Sequence, residues 1–386
     1  MYIIIAQIIV FFYFFLYNFF VGDFMSIYIH IPFCNDICSY CDFCKVFYNK
    51  KLVSDYLSAL KREIDIYYRG EVIDTLYIGG GTPSCLDIDG LRVLFEILGK
   101  FNLSCDCEFT FECNIESIDY DKLKFLFDNG VNRLSIGVQS FNSKFLKFLN
   151  RNHSSNMVVS KVEMAKKIGF TNISIDLIYA IPFETLDDLD YDISMFLGLG
   201  INHISCYSLI LEEHTKLSIL GVSSISEDLD RSMYDLICDR LCSNGFNHYE
   251  ISNFSRSGFE SRHNFVYWNN CNYYGFGCGA SGYIDNIRYD NTRSLTKYIK
   301  GDYRLNEDIL DRNTIIENEF ILGLRKINGI NIYDFNHKYG NIFNDVVNRL
   351  IKEGKLINDG VNIYINPVYI YVSNSILVDF IGEKYE

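Results

Sequence analysis

Past Met25 the chain is written in short apolar runs separated by longer stretches in which apolar residues recur at helical spacing. The first run covers 26–31, and residues 51–68 then repeat with the period of one helix face. Further runs lie at 75–78, 108–112, 133–138, 173–178 and 203–207. Most lead into a helical pattern, such as the one holding Leu123, Leu126 and Phe127. Strands that alternate with helices form parallel sheets. Six such units predict an α/β protein built on a partial (β/α)6 barrel, with a doubly wound sheet as the fallback. In a barrel the functional residues sit at the carboxyl ends of the strands. From about Leu305 the texture changes to helices and a short hairpin near 355–368, which predicts a small, mainly helical, winged-helix-like domain. The expected division is an apolar extension over 1–24, a barrel with its own extension over 25–300, and the C-terminal domain over 301–386.

Residues 1–22 carry no charge, and Asp23 is the first. About 20 apolar residues span a bilayer, so a membrane anchor is the face-value reading, although it lacks the flanking Lys and Arg that set orientation. A signal peptide fits poorly, with no basic start and no small-residue cleavage site. The favoured expectation is a true start at Met25, because the first strand follows it directly. Gly22-Asp23 can also be encoded by GGAGAT, which resembles a ribosome-binding sequence. A genuine extension would instead imply membrane association.

The chain of 386 residues is 49% hydrophobic, enough for a large core, and its net charge of −14 argues against a general nucleic-acid binder. Its thirteen cysteines are odd in number and scattered, which suits a reducing, cytoplasmic compartment over a disulfide framework.

Three of them stand in Cys34-Asn35-Asp36-Ile37-Cys38-Ser39-Tyr40-Cys41, a C-x3-C-x2-C spacing. Three thiolates can hold three irons of a [4Fe-4S] cluster and leave the fourth iron open to a small molecule. With Cys44 the stretch also holds the four thiols of a tetrahedral zinc site, though no second C-x2-C unit follows. Incidental buried thiols are the third reading. Gly79-Gly80-Gly81-Thr82-Pro83 ends a strand and allows a close backbone approach to a ligand. It lacks the G-K-[ST] ending of a P-loop, and alone such a turn is usually only a turn. Glu112, Gln139, Arg151 and Asp176 lie at or near strand ends, where they suit a ribose, an ammonium or a carboxylate. Singly, each is more often a cap or a surface pair. Tyr28 and Tyr40 flank the cysteines and could pack on adenine or serve the core.

Five segments in order, YIHIPFC, YIGGGTPS, NRLSIGVQSFN, ISIDLIYAIP and YEISNF with ESRHNFVYW, resemble the radical S-adenosylmethionine (SAM) superfamily. Within it they resemble the family around oxygen-independent coproporphyrinogen III oxidase and, more narrowly, its branch of HemW-type heme chaperones. The likeness runs from about Met25 to the C-terminal domain. It implies a cluster on Cys34, Cys38 and Cys41, and SAM contacts from Tyr28, Gly80, Gly81, Thr82, Glu112, Gln139, Arg151 and Asp176. It also implies an electron-donor protein. In the oxidase a fourth cysteine falls two residues after the third; here that position is Phe43. His263, Asn264, Tyr267 and Trp268 form the HNxxYW motif of the chaperone branch, which implies heme, with an acceptor hemoprotein as partner. Imidazole is a good axial ligand for heme iron. In isolation, a His near a Trp is more often a packed pair. Some positions depart from the family: Ser281 stands where relatives often carry His, Cys113-Asn114-Ile115 lacks the usual Ala and Pro, and Ala180 and Phe183 replace glycines. The expectation is therefore a heme chaperone with a [4Fe-4S] cluster, SAM and heme. The alternative is radical oxidation of coproporphyrinogen III.

Overall fold

The computed structural model describes residues 25–385, so the expectations for 1–24 lie outside the described residues. Six parallel strands follow in sequence order: β1 Met25–Ile31, β2 Val72–Gly80, β3 Asn102–Asn114, β4 Arg133–Gln139, β5 Asn172–Tyr179 and β6 His203–Ser208. Helices α1 Lys50–Tyr67, α2 Ile88–Leu98, α3 Tyr120–Asp128, α4 Ser155–Ile168 and α5 Leu186–Leu199 connect them, and α6 Glu227–Ser243 follows β6. Each helix starts on a side chain that accepts from its first-turn N–H groups: Asn49, Asp87, Asp119, Ser154, Thr185 and Ser226 in turn. These caps fix where the chain leaves the loops at the strand ends, which is where the candidate chemistry lies.

Successive residues of a strand face opposite sides, and here the two sides differ in chemistry. In β1, Ile27, Ile29 and Ile31 are fully buried in the core with Tyr56, Leu57 and Leu60 of α1. Ser26, Tyr28 and His30 alternate with them. Ser26 accepts a hydrogen bond from Thr75 of β2, and Tyr28 bonds His30. In β3, Phe109, Phe111 and Cys113 are buried apolar residues, and Glu108, Thr110 and Glu112 share the other face. The lumen of the barrel is thus polar, while its outer face supplies the apolar core. The first half of β3, Asn102–Asp106, is polar and largely exposed. For that reason its apolar run marks only the second half of the strand.

Among the described residues the sheet continues beyond these six strands to twelve. At one edge β8 Asn253–Ser255 pairs antiparallel with β6 and with β7 Asn247–Glu250. At the other, β9 Tyr273–Phe276 runs parallel to β1 and is followed by antiparallel β10 Ser281–Ile284, β11 Ile287–Asn291 and β12 Arg304–Ile309. Because β12 belongs to this sheet, the expected boundary at 301 moves past Ile309. Between the two edges, α7 Arg262–Trp268 carries the HNxxYW motif. The C-terminal region holds helices Arg312–Gly323, Ile332–Tyr339 and Asp345–Lys352 and a three-stranded sheet of Ile330–Asn331, Leu356–Asn358 and Asn362–Ile365. Its order of helix, strand, two helices and hairpin is the winged-helix order. Among the described residues, no helix is long and apolar enough to cross a membrane.

Candidate functional site

The cysteine loop between β1 and α1 is fastened along its length. Val46 N–H donates to Pro32 O at 2.7 Å and Tyr48 N–H to Cys34 O at 2.8 Å. Ser39 N–H donates to Leu149 O at 3.1 Å, and Asn150 Nδ2 to Ile37 O at 2.8 Å. The glycine turn presses against the start of this loop: Gly81 N–H donates to Ile31 O, Thr82 N–H to Phe33 O, and Thr82 Oγ1 lies 3.5 Å from Cys34 Sγ. A Cβ at position 81 would fall 3.0 Å from that sulfur and 2.9 Å from Phe33 O, so only glycine permits the approach. Gly80, at φ +117°, would likewise drive a Cβ into the His30 ring.

Cys34, Cys38 and Cys41 line one cavity of about 470 Å³ at the carboxyl ends of the strands. Burial pushes the Cys34 thiol up to about 11 and raises that of Cys41, so a metal must displace protons to bind. Cys44 is not with them. It turns to the other side of the loop, where its Sγ lies 3.8 Å from Cys278 Sγ. A zinc site built from this stretch alone needs all four sulfurs at about 2.3 Å from a single ion. Among the described residues, no group of three or more His, Cys, Asp or Glu can hold one metal ion. The zinc reading therefore loses its fourth ligand. A cubane cluster, which takes each thiolate on a different iron, fits the three that share the cavity.

The same cavity is lined by Tyr40, Gly80, Gly81, Thr82, Glu112, Gln139, Arg151 and Asp176, which the sequence had singled out. Glu112 accepts from Tyr77 OH at 2.7 Å and from Gly80 N–H at 3.0 Å. Burial, with repulsion from Asp176, pushes its carboxyl up to about 7 in spite of those two donors. Burial lifts Asp176 to about 6 against the hydrogen bond from Ser205 and the charges of Arg133 and Arg151. Gln139 ends β4 at φ 71°, a left-handed conformation that costs a non-glycine residue about 1 kcal/mol or more.

Arg151 was expected to hold a carboxylate, and it holds one from the chain itself. Its Nε and one terminal nitrogen donate to Glu116 at 3.1 and 3.0 Å, and the latter also donates to Gly137 O at 2.8 Å. Against the penalty of burial, His153 and Arg151 hold the Glu116 carboxyl well below its usual range. Glu116, Tyr77 and Arg133 were missed by the sequence reading. Arg133 is 3% exposed, lines the cavity floor with Ser135, His203 and Ser205, and has an Nε without a partner among the described residues. The in-strand alternation of β4 was the signal that could have found it.

The HNxxYW residues do not converge. His263 is buried and stacks on Tyr77 at 5.1 Å between ring centres. Thr75 donates to Ser26, so it accepts from His263 Nδ1 at 2.6 Å, and Nε2 then accepts from Tyr267 OH at 2.8 Å. Burial pushes this imidazole down to about 3, so it is neutral with both nitrogens engaged. Asn264 reaches the cysteine cavity. Tyr267 lines a second cavity of about 290 Å³, and Trp268 lies beneath the Arg325 guanidinium. As it stands here, His263 presents no free ring nitrogen to a heme iron. Tyr28, expected at the nucleoside, also lines the second cavity, because it shares a strand face with His30 and bonds its Nδ1 at 3.0 Å.

Three thiols beside a glycine turn, at the mouth of a parallel barrel with a polar lumen, define a protein of the radical SAM class. The family model described as the Radical SAM superfamily matches residues 28–196. Among solved structures, the coproporphyrinogen III oxidase HemN of Escherichia coli, described as a radical SAM enzyme, shares the fold. Its TM-score is 0.83 at 22% identity, covering 93% of this chain and 90% of that one. The heme chaperone HemW of Lactococcus lactis is 40% identical over 370 residues, 92% of this chain and 97% of its own length. That of Bacillus subtilis is 37% identical over 93% of this chain and 99% of its own. The chain belongs to the HemW family of radical SAM proteins.

Proposed function

We propose that this protein is a cytoplasmic heme chaperone that holds a [4Fe-4S] cluster on Cys34, Cys38 and Cys41, binds SAM beside it, and passes heme to an acceptor hemoprotein. The observation that carries the reading is the 40% identity, across nearly the full length of both chains, to a protein named heme chaperone. When bound, such a cluster supplies an iron with no protein ligand and a source of single electrons, which an electron-donor protein would replenish. Gly80, Gly81 and Thr82 admit a ligand backbone-close, and Glu112 and Asp176 accept from its ammonium or hydroxyl groups. Tyr40 and Gln139 wall it in. The Arg151–Glu116 pair braces the turn after β4. Heme is assigned to α7. For His263 to ligate iron its Nε2 must release Tyr267, so heme loading involves a local rearrangement. Phe43, where the resemblance puts the oxidase's fourth cysteine, favours carriage over oxidation.

Anaerobic reconstitution should give about four irons per chain, lost on Cys38→Ser. Titration with heme should shift its Soret band, and the shift should weaken with His263→Ala. Loaded protein should convert an apo-hemoprotein to its holo form. Absence of heme binding by the reconstituted protein defeats the reading, and vinyl product from coproporphyrinogen III with SAM and a reductant replaces it with the oxidase.

A further inference from the structure

Cys44 and Cys278 are 234 residues apart in sequence, yet their sulfurs lie 3.8 Å apart and both are free thiols. Neither lines the cavity of the cysteine triad. Cys278 is buried in the turn between β9 and β10, where its Sγ lies 3.1 Å from Thr292 O. Cys44 is half-buried and faces the second cavity, together with His30, Phe43 and Arg293. The approach is built. His30 Nε2 bonds Cys44 O at 2.7 Å, and Arg293 donates to Asp42 O at 2.6 Å. Gly279, at φ +83°, leaves open the space that the Cys44 side chain enters, since a Cβ there would lie 2.5 Å from Cys44 Cβ.

We propose that Cys44 and Cys278 form a second thiol site, distinct from the triad, that closes reversibly into a disulfide with a low-molecular-weight disulfide as oxidant. Cys44 as thiolate attacks one sulfur of the oxidant, forming a mixed disulfide and releasing one thiol. Cys278 then loses its proton, attacks Cys44 Sγ and releases the second thiol. Two protein thiols are oxidised and one small disulfide is reduced to two thiols. A disulfide is about 2.05 Å long, so the sulfurs must close by less than about 2 Å, which a side-chain rotation supplies. Cys44 is the attacking member because it alone faces a cavity. The hydrogen bond from Cys278, with Arg293 and Lys45 nearby, also holds its thiol below the usual range. Closure would pin the chain three residues past Cys41 to the sheet. The inference does not depend on the heme-chaperone reading.

The test equilibrates the full-length, anaerobically purified protein in glutathione buffers of stepped oxidised-to-reduced ratio, alkylates it, and maps peptides by mass spectrometry. The expected result is a peptide pair joined through Cys44 and Cys278, two hydrogens lighter than the reduced peptides and separated again by dithiothreitol. Cys278→Ser should leave a glutathione adduct on Cys44, and Cys34→Ser, Cys38→Ser and Cys41→Ser together should leave the link intact. Recovery of both residues as alkylated thiols at the most oxidising ratio, or linkage of wild-type Cys44 to Cys38 or Cys41, overturns the proposal. The wild-type map decides by itself if a variant fails to fold.

Discussion

Glu112 and Asp176 show how single residues set the pH range of the site. Both are buried carboxyls with raised pKa values, about 7 and about 6. Each is mostly protonated below its value and ionised above it. A ligand that brings an ammonium and hydroxyls prefers the ionised forms, so SAM affinity should rise as pH climbs through 6 to 7 and level off above about 8. A full unit of coupling corresponds to about 1.4 kcal/mol, or tenfold in affinity. Calorimetric titrations from pH 5.5 to 8.5 should show this rise, and Glu112→Gln should remove its upper part. An affinity that is flat across the range would rule out ionised carboxylates as the binding groups. Arg151 acts differently, as a brace. Arg151→Met would leave Glu116 half-buried with only His153 and the Asn152 N–H beside it, at a cost of about 3 kcal/mol, readable as a lower midpoint in urea. Phe183 argues the same physics from the opposite direction. It sits at φ 69° and is 80% exposed, so Phe183→Gly relieves backbone strain with little packing to lose. A gain of up to about 1 kcal/mol is expected in the same urea assay.

At the scale of the elements, Glu63 binds α1 to the strands that extend the barrel. It is fully buried and accepts from Gly277 N–H at 2.8 Å, Asn291 Nδ2 at 2.7 Å, Tyr298 OH at 2.5 Å and Arg304 at 3.1 Å. Removing it takes away one of the two carboxylates on Arg304, the other being Glu307, and leaves the buried Gly277, Asn291 and Tyr298 donors without their acceptor, so Glu63→Ala should cost about 3–5 kcal/mol. Amide exchange should accelerate first across β9 to β12, before β2 to β5. The order of the β/α units was legible in the sequence because each apolar run and each capped helix is a local signal. The thiol triad and the glycine turn were legible for the same reason, as each is compact in the chain. The lumen was not. In β3, Glu108, Thr110 and Glu112 alternate with Phe109, Phe111 and Cys113, so a reading by runs locates the strand while a reading by period two is needed to find its polar face. Pairings across the chain were also hidden. Nothing near Arg151 announces Glu116, and the state of His263 depends on Thr75, a residue 188 positions earlier. The extra sheet strands were missed because β9 and β10 are four residues each with a glycine inside, and β11 and β12 are rich in polar residues.

For the whole molecule, the decisive fact is that one apolar core runs without a break from Ile27 in β1 to Phe380 near the C-terminus. Phe320, fully buried in the C-terminal region, stacks on Phe380 at 4.6 Å between ring centres and packs against Phe335 at 4.8 Å. Backbone hydrogen bonds join this region to the barrel edge, from Ile327 N–H to Tyr249 O at 3.1 Å and from Ile251 N–H to Arg325 O at 3.3 Å. The C-terminal region therefore has no separate core on which to survive when the barrel opens, nor can it loosen without exposing the barrel edge. Phe320→Ala removes a ring from this shared packing, at about 3–5 kcal/mol. The loss should lower the melting temperature by on the order of 5 °C. Trp268, the single tryptophan, sits at the junction beside Arg325, so its fluorescence reports the seam while far-ultraviolet dichroism reports the bulk of the barrel. In a shared core the two signals must shift together in the variant and keep coincident midpoints. A fluorescence transition that moves down while the dichroism midpoint stays in place would mean that the C-terminal region melts as an independent unit.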